Sequence, residues 1–276
     1  MKKKQLNLTS GPILRTLSEL ALPIMASSFL ATAYNITDMA WIGMLGSKAV
    51  AGVGVGGMYV WLSQGLSSLA RMGGQVNMAH SLGRGDQKAA AGFAQAALQL
   101  TILFSLFVTL ISILFTNPLL QFFALNDAET YNSARIYMRI TCGLILFSFL
   151  SQVLTGLFTA QGDSKTPLKA NFFGLILNMI LDPLLVLGVG PFPRLEVVGA
   201  AVATVTAQII VLLILVAEIL RDHGETNVLH KIRLLSRPDM KIQDVAGASG
   251  FSDASHFIAM FRKVTGTTPL DFRKMY

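Results

Sequence analysis

Long apolar runs separated by short charged clusters constrain this chain more than any other feature: residues 93 to 116, for example, carry no charged side chain. About 20 such residues in a helix cross the hydrocarbon core of a bilayer. A soluble fold would instead spread its charges over amphipathic faces. Composition agrees, with 53% hydrophobic and 13% charged residues, against roughly a quarter charged in an ordinary soluble domain. The formal charge of +7 is read as loop charge facing cytoplasm and anionic lipid, in preference to a nucleic-acid surface. Cys142 stands alone inside an apolar run, which leaves no internal disulfide and no thiolate metal site.

Six spans are expected, near residues 13 to 36, 50 to 72, 93 to 116, 136 to 158, 170 to 189 and 197 to 219. The fold class is therefore all-α, a polytopic membrane protein. Lys2, Lys3 and Lys4 before an apolar stretch ending in Ala31-Thr32-Ala33 have some likeness to a secretory signal. The polar spacer Gln5 to Gly11, the helix-bending Pro23 and the further spans argue against cleavage. Gly52, Gly54, Gly56 and Gly57 in the second span suit close packing between membrane helices. A phosphate-binding loop would follow a soluble strand and open a polar helix, and this glycine run does neither. Lys2 to Lys4, Arg15, Arg84, Lys88, Lys165, Lys169 and Arg221 fall on one side of the bundle, with Lys48, Arg135 and Arg194 on the other. The richer side is expected to be cytoplasmic. An even number of spans then puts both termini inside, at a bacterial inner membrane.

Asp38 follows the apolar run of the first helix, and Asp182 sits within Leu175 to Leu187. A charged Asp there costs about 2.5 to 3.5 kcal/mol on insertion scales, so it needs a proton, a cation or a partner. A lone Asp is equally well a structural carboxylate bonded to a neighbouring helix. Here Asn178 precedes Asp182 by one turn and Tyr34 precedes Asp38 by one turn, so each carboxylate arrives with a polar neighbour. Pro183 displaces the carbonyl of Met179 from helical hydrogen bonding. Carboxylate, amide and free carbonyl oxygens suit a hard cation such as Na⁺, while two carboxylates suit proton exchange. Thr204 adds a hydroxyl, although Thr in a membrane helix commonly bonds back to its own backbone. No nucleophile and base pair is present to support an enzyme.

Several stretches, in order, resemble the amino-terminal half of a MATE (multidrug and toxic compound extrusion) transporter. They are Leu20-Ala21-Leu22-Pro23 leading to Tyr34-Asn35-Ile36-Thr37-Asp38, then Gly43-Met44-Leu45-Gly46 and Gln161-Gly162-Asp163-Ser164-Lys165-Thr166-Pro167. Asn178-Met179-Ile180-Leu181-Asp182-Pro183 and Gly199-Ala200-Ala201-Val202-Ala203-Thr204 continue the pattern. The resemblance implies a six-helix lobe of an antiporter that exports organic cations and other xenobiotics, with Na⁺ or H⁺ as coupling ion and no other cofactor. It implies a cation site at Asp38, Asn178, Asp182 and Thr204, with Tyr34 close by. Family members carry a second six-helix lobe, and no apolar span follows Ile219. The expectation is a truncated transporter that, if active, works as a homodimer, since two six-span copies insert in parallel.

The character changes after about Lys241, where Gly250 suits a turn, Ser252 or Asp253 can cap a helix, and Thr268-Pro269 opens another. This pattern resembles the second helix-turn-helix of AraC-type transcription regulators, with Asp253 to Val264 as recognition helix. The expected domains are 1–236, the membrane lobe, and 237–276, a small three-helix fragment; Leu234 to Met240 fits the end of the first or the start of the second. The resemblance assigns Ala254, Ser255 and His256 to bases and Arg262, Lys263 and Arg273 to phosphates. Against a working DNA reader, Ala259 stands where the family often has Arg, the partner subdomain is missing, and the net positive charge is small. A leftover half-domain from a gene rearrangement or a fusion is the competing reading.

Overall fold

The expected spans become helices in the computed structural model, which describes residues 13–221 together with Ser255, Ile258, Ala259, Arg262, Thr268, Pro269 and Leu270. In chain order these are α1 (Ile13–Gly43), α2 (Ser47–Gly83), α3 (Gln87–Leu114), α4 (Thr116–Gln121), α5 (Ala128–Gly143), α6 (Ile145–Ala160), α7 (Lys165–Val186) and α8 (Glu196–Arg221). No strand occurs among the described residues. Taken singly, α3, α7 and α8 are long and apolar enough to cross a membrane, and α5 with α6 qualifies as a bent pair. With 31 and 37 residues, α1 and α2 have the length. Their apolarity is diluted by positions such as Asn35, Asp38, Gln64 and Arg71, which line a cavity.

The fourth expected span is not one helix. It breaks at Leu144, and α5 and α6 meet at 50°. Thr109 Oγ1 donates to the carbonyl of Cys142 at 3.0 Å, so a neighbouring helix satisfies an oxygen that the break sets free. Gly143, directly before the break, is the one sequence signal for the bend, and the expected single span passed over it.

Packing places α2 against α3, α5 and α6, while α7 pairs with α8 and with α1. Glycine sets the closest approach. A Cβ at Gly52 would meet Ser133 Cβ at 2.6 Å and the Thr130 carbonyl at 2.8 Å, and one at Gly56 would meet the Ala134 carbonyl at 3.1 Å. The expected small-residue packing of the second span is thus its contact with α5. Gly54 and Gly57 instead face open space along the cavity. Two clusters form much of the core. Ala70, Met78, Ala94, Leu157, Ala170 and Leu215 lie in one, at the end where α2 finishes and α7 begins. Ile42, Val53, Tyr137, Val186, Val197 and Ala200 lie in the other. Leu103, Leu106, Phe107, Leu110 and Leu114 stay exposed along α3, the surface a bilayer would cover.

Asp side chains begin three of the helices. Asp86 accepts from Ala89 N at 2.8 Å, and Asp127 from Thr130 N at 2.9 Å. Asp163 accepts from Thr166 N at 3.0 Å and from its hydroxyl. The Gln161 to Pro167 stretch is therefore a capping turn, with Gly162 at φ 80 reversing the chain into α7. The joint expected near residue 240 and the division into 1–236 and 237–276 lie outside the described residues.

Candidate ion site and cavity

Three polar groups of the site stand one turn from a core residue of the second cluster. Asp38 precedes Ile42, Asp182 precedes Val186 and Thr204 follows Ala200, while Tyr137 belongs to the cluster itself. Tight apolar packing at that end therefore fixes the positions of α1, α5, α7 and α8 where the polar groups meet. The turn between α7 and α8 contributes too: Leu195 N donates to the Leu185 carbonyl at 2.8 Å, and Gly199 lies directly on that carbonyl.

Asp38 is 7% exposed, and Asn178 and Asp182 are fully buried. Asn178 Nδ2 donates to Asp182 Oδ1 at 3.2 Å, as their one-turn spacing predicts. The carboxyl groups of Asp38 and Asp182 face each other across the contact of α1 with α7. Among the described residues Asp38 Oδ1 and Asp182 Oδ2 are buried with no polar partner except each other's carboxyl, Thr204 Oγ1 with none except the Tyr137 hydroxyl, and Asn178 Oδ1 with none. Buried polar atoms in a folded protein are ordinarily satisfied. A set of buried carboxylate, amide and hydroxyl oxygens has the donor chemistry of a hard monovalent cation, and the carboxylate pair also has that of a shared proton. Tyr34 lies one turn before Asp38 on α1, with its side chain outside the described residues.

Tyr137 was missed in the sequence. It is 8% exposed, faces Thr204, and lies within electrostatic reach of both aspartates. Its signal is weak, because Tyr in an amphipathic stretch with Arg135 and Arg139 nearby reads as an interfacial residue.

Asp38, Tyr137 and Thr204 open onto a cavity of ≈ 780 Å³ between α1, α2, α5, α6 and α8. Its middle is uncharged and polar. Gln64 Nε2 donates to Ser148 Oγ at 3.4 Å, Gln152 Nε2 donates to Gln64 Oε1, and Ser151 Oγ donates to Gln208 Oε1 at 3.1 Å. Arg71 also lines it, a charge inside the second expected span that the loop count passed over.

In the tail, Ser255, Ile258, Ala259 and Arg262 are helical and exposed, a spacing that gives one helix face. They line a shallow hollow with Thr268. Ala254, His256, Lys263 and Arg273 lie outside the described residues.

A helical bundle of apolar spans that buries two facing carboxylates beside a polar cavity is, as a class, a polytopic membrane protein. The MatE family model matches residues 23–184, more than half of the chain, and the chain belongs to that family. A helix-turn-helix domain model matches residues 225–275, in agreement with the AraC-type fragment. A probable multidrug resistance protein NorM of Thermotoga maritima is 31% identical over 199 residues, covering 72% of this chain and 42% of the relative. An FAD transporter of Shewanella oneidensis is 29% identical over 210 residues, covering 76% and 46%. Among solved structures, a MOP superfamily transporter from Pyrococcus furiosus shares the fold with a TM-score of 0.73 at 22% identity, over 85% of this chain and 55% of that one. The chain thus spans about half the length of the curated relatives it matches.

Proposed function

We propose that this chain is a lobe of an efflux antiporter in which Asp38 and Asp182 carry the coupling ion, Na⁺ or H⁺. The observation that supports the reading is the pair of carboxyl groups buried face to face, with Asn178 Oδ1 and Thr204 Oγ1 beside them. Facing carboxylates buried together cannot both stay charged without a cation or a proton between them. Loading draws Asp38 and Asp182 together; unloading leaves like charges opposed, which loosens α1 against α7. Because Asp38 and Thr204 also line the cavity, ion release and solute binding are linked through the same wall. Asn178 orients Asp182 by its hydrogen bond, and Thr204 and Tyr34 complete the ion site. The solute is a xenobiotic such as an organic cation; the relative named an FAD transporter widens the range of chemistry the family handles. Loop charge supports a cytoplasmic position for both ends of the bundle, and in this reading a second copy inserted in parallel completes the cavity as a homodimer.

Efflux of a cationic dye from energised vesicles tests the ion site. Asp38→Asn and Asp182→Asn keep side-chain volume but cannot ionise, and each should reduce coupled efflux to the level of empty vesicles. Wild-type efflux in both variants would remove the pair from the mechanism. Crosslinking in membranes addresses the dimer: monomers alone alongside intact efflux would refute it.

The match of residues 225–275 to a helix-turn-helix domain favours a second reading, a membrane-tethered DNA-binding protein. In that reading Ser255 and Arg262 contact DNA together with Ala254, His256, Lys263 and Arg273. A gel shift of the full chain at low salt showing no sequence preference would end it.

A further inference from the structure

Two charged residues line the cavity, Asp38 and Arg71, and the ion site uses only the first. Arg71 lies 15 residues beyond Gly56, where α2 rests against Tyr137. At 1.5 Å per helical residue that is about 22 Å along α2, too far for Arg71 to neutralise the carboxylates. Its Nε is buried without a hydrogen-bond partner. Among the described residues no carboxylate forms an ion pair with it; Asp127, Glu129 and Glu196 pair instead with Lys48 and Arg194. A cation placed inside a membrane helix without a partner marks a functional position.

The neighbourhood is shaped around this side chain. A Cβ at Gly156 on α6 would meet Arg71 Cγ at 2.8 Å and Gln75 Oε1 at 3.1 Å. The missing methyl therefore makes room for the arginine stem along α6. Thr155 and Asn171 line the same end of the cavity and offer a hydroxyl and an amide. Between the two charged ends stand Gln64, Gln152 and Gln208, which are polar and neutral.

We propose that Arg71 is an anion subsite, taking a carboxylate or phosphate group of the solute while the solute body lies along the amide and hydroxyl wall toward Asp38. The guanidinium fork matches both oxyanions in a two-point contact. This deepens the transport reading, since the same cavity is taken to hold the solute. The solutes accommodated then include anionic and zwitterionic molecules, with any cationic group directed to Asp38.

Equilibrium binding to the full chain in neutral detergent, without an ion gradient, provides the test. The probes share one fluorescent scaffold: 2-naphthoate, 1-naphthyl phosphate, the neutral 2-naphthamide and naphthylmethylammonium. The unmodified chain should bind both anions more tightly than 2-naphthamide. Arg71→Gln should weaken the anions about ten- to hundredfold, the range for a charged hydrogen bond, and leave naphthylmethylammonium unchanged. Arg71→Lys should restore part of the loss. Equal affinity of the unmodified chain for 2-naphthoate and 2-naphthamide overturns the proposal, as does an equal loss of all four probes in Arg71→Gln. Should that variant not fold, the comparison on the unmodified chain decides alone. Displacement of 2-naphthoate by phosphatidylglycerol in mixed micelles assigns the anion to a lipid headgroup; resistance to it assigns a free solute; either keeps the subsite. The outcome is independent of ion coupling, which stands or falls on the efflux of the Asp38 and Asp182 variants.

Discussion

Thr204 separates the two coupling ions more cleanly than either aspartate does. Its Oγ1 is buried beside the site with only the Tyr137 hydroxyl facing it, so it has a lone pair left to ligate Na⁺, whereas a proton shared by two carboxylates has no need of it. Thr204→Val keeps the shape and removes the oxygen. If Na⁺ drives the lobe, the variant should need about tenfold more Na⁺ for half-maximal efflux, the cost of one neutral hydrogen-bond-strength contact. Under H⁺ coupling the pH profile of efflux should stay in place. An unchanged Na⁺ requirement in a Na⁺-driven lobe would take Thr204 out of the ligand set. Gly156→Ala makes a matching test at the other end of the cavity: the added methyl pushes on the Arg71 stem, so binding of 2-naphthoate should fall while naphthylmethylammonium binding holds.

The pairing of α7 with α8 positions Asp182 relative to Thr204, and glycines at both ends of it, Gly174 and Gly199, allow the close approach. A methyl at Gly199 would strike the Leu185 carbonyl and stand 2.9 Å from Val186 N. Both are backbone atoms, so relief requires α8 to move away from α7. Gly199→Ala should therefore cost about 1–3 kcal/mol, the usual penalty for overpacking, seen as a lower melting temperature in detergent and as weaker ion coupling. Gly92→Ala on α3 is the control. Its Cβ meets nothing within 4 Å, and alanine's helix propensity is better by about 1 kcal/mol, so melting should stay level or rise. Equal melting of both variants would show that the α7 and α8 contact is not tight.

Across the molecule, Lys48 at the start of α2 holds Asp127 at the start of α5, 2.9 Å away. The Lys48 ammonium first, then the N–H and hydroxyl of Thr130, bring the Asp127 carboxyl from 3.8 down to about 2. A carboxylate depressed by folding stabilises the fold above its ordinary value and loses that contribution as pH falls through the lowered one. Acid unfolding between pH 3.8 and about 2 should therefore be shallower in Asp127→Asn than in the unmodified chain; identical acid profiles would show the pair contributes nothing. Much of this architecture was legible in the sequence, because membrane insertion imposes its rule locally: apolar runs of bilayer length declare helices, and a carboxylate within one declares a site. Asp38 and Asp182 stand out as carboxylates in two apolar helices, and the Asn178 to Asp182 hydrogen bond follows from one-turn spacing on α7. Tertiary structure alone decided the rest. The carbonyl freed at the Leu144 bend finds its donor on α3, Tyr137 joins the site only because α5 packs beside α8, and Arg71 faces a cavity only because α6 leaves room at Gly156. Each of these is a contact between helices, and a period of 3.6 residues tells which face a side chain occupies but not what that face meets.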